Sequence, residues 1–358
     1  MTPVSSTTPL CKPSGQAEFA YMLSGYAISM YSVDSCTGAF QQSTPAAVAT
    51  GSSQTEPLPE QMVTDPLGRF AYVANLVSNA SDKATISMYT IDSNTGVLTP
   101  TSPATVSTGY FPQGIAIDPA GKFVYTANSD DNSVSMFRID ATTGVLTPTS
   151  PAAVPAGRSP SGMTMHPSGK FAYVANEDDD TVSMYTVDAN TGVLTPMTPA
   201  TVATAGSPFG VAVSPSGKFA YVPDTYSINN RVSEYTIDQT TGVLVPTAQN
   251  FVIAGAEPTA VVVDPSSKFA YVADRKANMV SMFKIDPSTG DLSPNGTIAT
   301  GAEPFRLTFD PSGKYLYVAD ENSAAAVFTV NADGTLTAAG PQLTGTNSLS
   351  IAIAAAKP

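Results

Sequence analysis

Seven polar residues occupy one repeated position of the sequence, each ending a short aromatic and β-branched phrase. They are Ser24, Asn75, Asn128, Asn176, Asp224, Asp274 and Asp320. Carboxylate and amide oxygens are the ligands of hard cations such as calcium, so a cation, metal or amine site is one interpretation. The alternative is that each side chain caps its own turn by hydrogen bonds to the backbone. A residue that recurs in every repeat favours the second interpretation.

The asparagines and aspartates of this set are nevertheless the predicted ligand-binding residues. They are Asn75, Asn128, Asn176, Asp224, Asp274 and Asp320. The carboxylates Asp224, Asp274 and Asp320 are the candidate metal ligands, and calcium or another divalent cation is the cofactor that they would hold. No other cofactor is predicted from the sequence.

His166 is the only histidine, which excludes a cluster of metal-binding histidines and leaves one side chain that titrates near neutral pH. It begins the segment His166-Pro-Ser-Gly-Lys170, in a slot that other repeats fill with aspartate, so we expect a turn residue. The sequence has no glycine-rich phosphate loop, no Cys-x-x-Cys pair and no nucleophile elbow.

The repeat itself predicts the fold. The phrase begins with an aromatic residue at Phe19, Phe70, Phe123, Phe171, Phe219, Phe269 and Tyr315, at spacings of 51, 53, 48, 48, 50 and 46 residues. Such a period is typical of propeller blades with four strands. In the fourth copy, strands A to D are predicted to begin at Pro160, Phe171, Thr181 and Val193. We therefore predict an all-β, seven-bladed β-propeller with antiparallel blades, forming one domain over residues 1–358.

Turn signals separate the predicted strands. Asp118 to Lys122 has the Asp-Pro-x-Gly order of a type I turn between strands A and B. Asp140 to Gly144 ends in a glycine that supplies positive φ between strands C and D. The methionines Met30, Met88, Met136, Met184 and Met282 recur in strand C and indicate core between blades. Glu234 takes the methionine position in blade 5, and an ion pair with Arg231 is one hypothesis for it.

The innermost strand is missing from the start of the chain. Strand A copies begin near Gln61, Pro112, Pro160, Pro208, Pro258 and Pro304, whereas the first repeat starts directly at a turn after Lys12. Residues 348–354 match the strand A pattern, so we predict that they complete blade 1 and remove the free sheet edges. The predicted segments are an arm at 1–11, blade 1 at 12–58 with 345–358, and blades 2 to 7 at 59–108, 109–156, 157–205, 206–254, 255–301 and 302–344.

The two cysteines, Cys11 and Cys36, both fall in the first repeat. Two unpaired thiols in a cytosolic protein are one interpretation, and one disulfide in an oxidising compartment is the other. We favour the disulfide because both residues are expected at turns on the same face of blade 1. The separation that a disulfide requires cannot be derived from the sequence.

Charge and composition limit the partners. A net charge of −13 and a pI near 4.3 argue against nucleic acid. The apolar runs are too short to span a membrane. The N-terminal segment 1–10 carries no targeting signal and resembles the start of an exported mature protein, which favours a periplasmic or extracellular location over the cytoplasm. We expect a monomer with a small molecule or a protein bound at the channel mouth.

The repeated Tyr-Val-Ala-Asn/Asp phrases, with Pro-Ser-Gly-Lys and Asp-x-x-Thr-Gly turns, resemble the lactonase-type seven-bladed propellers over nearly the whole chain. That group includes 6-phosphogluconolactonases, carboxymuconate cyclases and surface proteins with Tyr-Val-Thr-Asn repeats. The resemblance implies a Pro-Arg-His on one strand A, an Asn-Glu ending the next strand B, and an Asn-Arg one blade later. Such a set would hold an anion and move a proton.

Only parts of that set occur here. Asn176-Glu177 matches Asn-Glu, but Pro160-Ser-Gly stands in place of Pro-Arg-His. Asp274-Arg275 resembles Asn-Arg two blades further on, and Arg306 lies one residue beyond the position of a Pro-Arg. The resemblance therefore gives Glu177, Arg275 and Arg306 as the candidate catalytic residues.

Two functions remain open from the sequence. The first is a non-catalytic binding or scaffold propeller of the cell envelope, with a ligand, cation or partner site at the channel mouth. The second is a hydrolase or cyclase acting on a lactone or ester, similar to the 6-phosphogluconolactonases, with Glu177 as base and Arg275 or Arg306 as electrostatic partner. The broken catalytic set favours the first function.

Overall fold

Seven antiparallel sheets of four strands each form the molecule. The computed structural model describes residues 18–50, 58–76, 84–226, 230–323, 325–339 and 349–355. Blade 1 combines the last strand of the chain with the first three. Each later blade takes four consecutive strands. The predicted all-β propeller with four-stranded antiparallel blades is confirmed.

The strand bounds follow the chain. Blades 1 to 3 contain β1 Glu18–Ser24, β2 Ala27–Val33, β3 Phe40–Ala49, β4 Leu58–Thr64, β5 Phe70–Leu76, β6 Thr85–Ile91, β7 Leu98–Ser107, β8 Pro112–Ile117, β9 Phe123–Asn128, β10 Ser133–Ile139 and β11 Leu146–Pro155. Blades 4 and 5 contain β12 Pro160–Met165, β13 Phe171–Asn176, β14 Thr181–Val187, β15 Leu194–Ala203, β16 Ala212–Val213, β17 Phe219–Asp224, β18 Arg231–Ile237 and β19 Leu244–Ile253. Blades 6 and 7 contain β20 Pro258–Val263, β21 Phe269–Asp274, β22 Met279–Ile285, β23 Leu292–Ala299, β24 Pro304–Phe309, β25 Tyr315–Asp320, β26 Ala326–Val330 and β27 Leu336–Ala338; the closing strand is β28 Ser350–Ala355.

The end of the chain closes the ring, as predicted. Strand β28 pairs antiparallel with β1, with Ala352 opposite Tyr21 and Ile353 opposite Ala20. Ala352 and Ala354 lie in the core shared with blade 2, whereas Ile351 packs in the core shared with blade 7. The C-terminal strand therefore belongs to both joints that flank blade 1, and β1 has no free inner edge.

The turns are built as their residues indicate. Asp118 Oδ1 accepts hydrogen bonds from the backbone N–H groups of Lys122 and Phe123, both at 2.6 Å. Asp140 Oδ1 accepts the N–H of Thr143 at 2.8 Å, and Gly144 adopts a φ of 74° that closes the turn between β10 and β11. These local bonds recur from blade to blade and set the spacing of the strands.

Neighbouring blades are joined by a repeated hydrogen bond. The strand B tyrosine of each blade donates its hydroxyl to the turn glycine of the next, as Tyr173 does to Gly242 O at 2.6 Å. Tyr317 reaches Gly38 O and so joins blade 7 to blade 1. All seven tyrosines of this set make the bond. The repeat therefore positions one blade against the next as well as forming each sheet.

The strand C methionines are buried between blades, as predicted. Met184 Sδ accepts the backbone N–H of Leu244 in the next blade at 3.3 Å. Glu234 is also fully buried and makes the same contact through Oε1, which accepts the N–H of Leu292 at 3.1 Å. The hypothesis of an ion pair with Arg231 is wrong, because residues three apart on a strand point to opposite faces.

The inner strand of blade 5 is shorter than the others. Only Ala212 and Val213 form a regular strand, with a single bridge from Pro208 to Asp224. Blade 5 has Pro223 where blades 2 to 4, 6 and 7 have alanine, and proline has no N–H for the bond to strand A. The segment around Gly210 therefore leaves the regular ladder just where it lines the central channel.

Three further expectations concern single sites. His166 is a buried turn residue, as predicted, with Nδ1 2.7 Å from Ser168 Oγ and Nε2 2.9 Å from Gly217 O. The disulfide stays a prediction, because Cys11 lies outside the described residues. Among the described residues, no helix has the length and apolar character needed to cross a membrane.

Candidate functional site

The asparagines that end the second strand of blades 2 to 4 lie inside the blades. Asn75, Asn128 and Asn176 are fully buried. Asn176 Nδ2 donates to Ser183 Oγ on the third strand at 2.9 Å, and Asn176 Oδ1 accepts the N–H of Gly157 in the preceding connector at 3.1 Å. Each asparagine thus stabilises its own sheet by hydrogen bonds. None of these three side chains faces solvent.

The aspartates of blades 5 to 7 take the same place. Asp224, Asp274 and Asp320 are fully buried, and Asp274 Oδ2 accepts the hydroxyl of Ser281 at 2.6 Å. Asp320 Oδ2 accepts the N–H of Gly301 at 3.2 Å. Burial raises the pKa of each aspartate to about 7, although hydrogen bonds to the charged form oppose the rise. Their contacts lie within their own blades, so ligand binding by all six residues stays a prediction.

The three predicted metal ligands are not brought together. Asp224, Asp274 and Asp320 lie in three different blades, each held by its own sheet and connector. Within the described ranges, no group of three or more His, Cys, Asp or Glu side chains is arranged to hold a metal ion. The calcium site is thus without an assembled ligand set and stays a prediction.

Glu177 lies at the mouth of blade 4, in the single 3-10 turn Glu177–Asp179 that follows β13. Its side chain is partly buried, and burial followed by the charge of Asp178 raises its pKa. Arg275 and Arg306 belong to blades 6 and 7, and no described contact joins Glu177 to either. The structure does not assemble the predicted catalytic residues into one group.

Arg275 belongs to an ion-pair network between blades 6 and 7. Its Nη2 lies 2.5 Å from Glu321 Oε2 and 3.5 Å from Glu303 Oε2. Lys276 Nζ lies 2.9 Å from Glu303 Oε1 in the same network. Because two carboxylates already balance its charge, Arg275 is a poor anchor for a ligand and a good link between the two blades.

Arg306 has a different environment. Its side chain is only 15% exposed, and its Nη2 lies 3.7 Å from Glu60 Oε1, beyond hydrogen-bond distance. Within the described residues, Arg306 makes no hydrogen bond, and its buried Nε has no partner. Burial lowers the pKa of Arg306, and Glu60 opposes that effect. A buried guanidinium with unused donors is costly unless an acceptor is supplied.

Glu60 reaches Arg306 from blade 2, on the far side of the closing strand. Its side chain is 18% exposed. Burial raises the pKa of Glu60, the Arg306 charge opposes the rise, and the Glu321 charge adds to it. The pair therefore brings a carboxylate that takes up a proton readily and a cation to the same point of the channel mouth.

A cavity of about 340 Å³ occupies the channel below this pair. Its walls come from the inner strands, and Arg306 is the only charged residue among the described ones that line it. Gln61 and Ser350 add polar groups on the side of blades 1 and 2, whereas Gly162 and Gly210 lie on the opposite side. The polar groups of Gln61 and Ser350 therefore face the glycine side of the channel.

The glycines on the open side have two distinct roles. A Cβ atom at Gly162 would lie 2.7 Å from Gly210 Cα and Phe209 O, so this glycine allows the inner strands to approach one another. A Cβ at Gly210 would meet nothing within 4 Å. Space beside Gly210 is therefore not needed by the scaffold, and it is available to a bound molecule.

Two aromatic rings complete the mouth. Phe209 and Phe305 follow the prolines that begin their inner strands, and their rings meet edge to face with centroids 5.4 Å apart. The Arg306 guanidinium lies 5.2 Å from the Phe305 ring centroid. A ligand held by Arg306 would thus meet an apolar surface as well as a cation.

Sequence reasoning missed Glu60, Phe209 and Phe305. The signal was present: the second residue after the strand A proline is glycine or alanine in blades 3 to 6 but Arg306 in blade 7. The first residue after that proline likewise varies between blades, with Glu60 in blade 2 and phenylalanine in blades 5 and 7. Positions that differ between repeats supply the residues that are specific to the channel, whereas repeated positions form the blades.

A family model described as lactonase, 7-bladed beta-propeller, matches three overlapping stretches of the chain, residues 14–158, 147–263 and 253–352. No curated protein matches the sequence. Three solved structures with a similar fold are matched along nearly their full length.

One such structure is a candidate 6-phosphogluconolactonase from Bacteroides fragilis, with a TM-score of 0.78 and 21% identity over 96% of this chain and 99% of that chain. Another is the periplasmic gluconolactonase of Pseudomonas aeruginosa, with a TM-score of 0.76 and 19% identity over 96% and 100% of the two chains. A protein of unknown function from Desulfotomaculum acetoxidans gives a TM-score of 0.73 and 16% identity over 95% and 99%. At these identities the likeness establishes the fold.

Proposed function

Since the chain belongs to the lactonase family of seven-bladed β-propellers, we propose that it binds a small, oxygen-rich organic molecule in its central channel, with Arg306 as the polar anchor. The observation that carries the proposal is the buried Arg306 guanidinium, which lines the cavity and makes no hydrogen bond within the described residues. Acceptor oxygens of a ligand would satisfy those donors, and the open side at Gly210 gives the molecule room.

The proposed ligand class is a lactone, an ester or the matching hydroxy acid. The cavity volume of about 340 Å³ suits a single sugar-sized molecule. Gln61 and Ser350 offer polar contacts beside Arg306, and the Phe209 side chain, which also lines the cavity, offers an apolar surface. A location in the cell envelope, periplasmic or extracellular, is part of this proposal, as it is stated for the Pseudomonas aeruginosa gluconolactonase.

Hydrolysis of a lactone or ester is the second candidate function. Membership of the lactonase family supports it, and so does the pairing of an acidic and a basic side chain at the channel mouth. In this candidate, Arg306 would stabilise the negative charge that develops on the carbonyl oxygen. Glu177 has no described contact with either arginine, so its role as the base stays a prediction from the resemblance.

Isothermal titration with glucono-δ-lactone and gluconate tests the binding proposal. We expect Arg306→Gln to weaken the affinity by about 10- to 100-fold, because a charge-assisted hydrogen bond contributes about 1.5–3 kcal/mol. Gly210→Leu should also abolish binding by filling the open side of the cavity. Thr240→Leu, on an exposed turn, is the matched control and should bind as the unmodified chain does.

Two results would count against the proposal. One is the absence of binding for every lactone and hydroxy acid tested with the unmodified protein. The other is an affinity that neither Arg306→Gln nor Gly210→Leu changes, since the ligand would then lie outside the channel. Thermal unfolding of each variant shows whether it is folded under the conditions of the titration.

A further inference from the structure

We propose that Glu60 is the proton acceptor of a hydrolytic reaction in the channel and that Arg306 is its electrostatic partner. The inference rests on the second candidate function, hydrolysis of a lactone or ester. It replaces Glu177, the base suggested by the resemblance, with a residue from the inner strand of blade 2.

Geometry carries the assignment. A base and the group that stabilises the oxyanion must act on the same carbonyl at hydrogen-bond range. The Glu60 Oε1 to Arg306 Nη2 distance is 3.7 Å, and both side chains are largely buried at the channel mouth. Arg306 lines the cavity, and Glu60 meets it through the same guanidinium, at 3.7 Å from Nη2. A carbonyl placed against Arg306 is therefore also within reach of Glu60, directly or through one water molecule.

Glu60 is also less committed than the two carboxylates of the network between blades 6 and 7. Glu303 accepts hydrogen bonds from Lys276 and Asn322, and Glu321 is paired with Arg275. Within the described residues, the Glu60 carboxylate accepts no hydrogen bond, and its contact with Arg306 is long. An incoming ligand can therefore separate the pair without breaking a hydrogen bond.

The reaction balances with water as the only co-reactant. The Glu60 carboxylate takes a proton from a water molecule as the water oxygen bonds to the carbonyl carbon of the lactone. The carbonyl electron pair moves to oxygen, where the Arg306 guanidinium stabilises the negative charge. The ring C–O bond then breaks, the leaving alkoxide takes the proton from Glu60, and the product is a hydroxy acid.

The burial of Glu60 gives the reaction a characteristic pH dependence. Burial raises the pKa of the Glu60 carboxyl, with the Arg306 charge opposing the rise. A general base acts only when it is unprotonated, so kcat should fall on the acid side with an apparent pKa above the usual glutamate range. The charged groups that face Glu60 are Arg306 and Glu321. Arg306→Gln removes the positive charge and should move the acid limb of the kcat profile to higher pH.

Steady-state hydrolysis of glucono-δ-lactone, corrected for the spontaneous reaction and followed from pH 5 to 9, tests the inference. We expect Glu60→Gln to lower kcat about 100-fold or more and to abolish the acid limb, because a positioned base contributes about 10²–10⁴. Glu60→Asp should keep part of the rate. Glu257→Gln, at another partly buried glutamate of the mouth, is the matched control and should leave kcat and the pH profile unchanged.

The outcomes separate the inference from the function on which it rests. Hydrolysis by the unmodified protein that survives Glu60→Gln with the same pH profile would overturn the role of Glu60 and leave hydrolysis standing. Loss of activity in Glu177→Gln with normal activity in Glu60→Gln would assign the base to Glu177. No hydrolysis by the unmodified protein would overturn the hydrolase candidate and the inference together. Melting temperatures for both Glu60 variants identify a folding defect.

Discussion

The side chain that ends the second strand changes from asparagine in blades 2 to 4 to aspartate in blades 5 to 7. The surroundings hardly change, since Asn128 bonds to Ser135 and Asp274 bonds to Ser281. An asparagine is neutral there, whereas an aspartate must bury a charge or hold a proton. The aspartate blades therefore have a stability that depends on pH.

Asp274→Asn is the direct test of that difference. The folded pKa of Asp274 is about 7, above the ordinary value of 3.8, so the folded state holds a proton that the unfolded state has lost. The contribution of Asp274 to stability is full below pH 3.8 and declines as the pH rises to about 7. We expect Asp274→Asn to raise the free energy of unfolding at pH 8, by up to about 4 kcal/mol from a shift of about three pKa units.

Urea unfolding at pH 5 and pH 8 measures the effect, and the gain should be smaller at pH 5. Asp286→Asn is the control of opposite sign. Asp286 is an exposed turn residue whose pKa hydrogen bonds from Ser288 and Thr289 lower, so its substitution should destabilise the protein at neutral pH. Equal effects of Asp274→Asn at both pH values would contradict the buried-charge account.

At the scale of the elements, each joint between two blades depends on a turn glycine that contacts the preceding blade. Gly242 accepts the hydroxyl of Tyr173 from the preceding blade, has a φ of 77° and lies against the ring of Phe171. A Cβ atom at Gly242 would lie 2.4 Å from Phe171 Cδ1. The same glycine thus serves the turn, the packing of the ring and the hydrogen bond.

Gly242→Ala separates backbone strain from the contact between blades. Gly25 also has positive φ, at 56°, but a Cβ there would meet nothing within 4 Å. We expect Gly25→Ala to cost about 1–2 kcal/mol from the left-handed backbone alone. Gly242→Ala should cost about 1–3 kcal/mol more, since overpacking adds to that strain. Urea unfolding of both variants measures the difference, and equal losses would mean that the joint tolerates the added methyl group.

At the scale of the whole molecule, the closing strand joins the ends of the chain. Ile351 is buried in β28 and packs against residues of blade 7. Ile351→Ala should lower the free energy of unfolding by about 2–4 kcal/mol, because it opens a cavity at the closure. Ile253→Ala, at a side chain that is 62% exposed, should change it by less than about 0.5 kcal/mol. Similar effects at both positions would show that the closing strand contributes little.

Repetition explains why the fold could be predicted. The strand B tyrosine occurs in all seven repeats and the strand C methionine in five, so an ambiguous repeat can be interpreted from the others. The closure followed from counting inner strands. The length of strand D could not be predicted in this way, since the bulge opposite Met184 lets β15 continue to Ala203.

The site could not be predicted in the same way, because its residues are exceptions to the repeat. Arg306 was identified from the sequence, but its partner Glu60 lies nearly 250 residues away along the chain and across the closing strand. That contact exists only in the closed ring. Conversely, the repeated Asn and Asp residues were predicted to bind a ligand, although they are buried and Asn176 bonds to the connector before its blade.

A crystal structure of the protein soaked with gluconate or glucono-δ-lactone tests the central claim most directly. The account predicts ligand density inside the channel, with oxygen atoms at hydrogen-bond distance from the Arg306 guanidinium and ligand atoms in the space beside Gly210. Ligand density at the blade 4 mouth near Glu177, with nothing bound at Arg306, would contradict it.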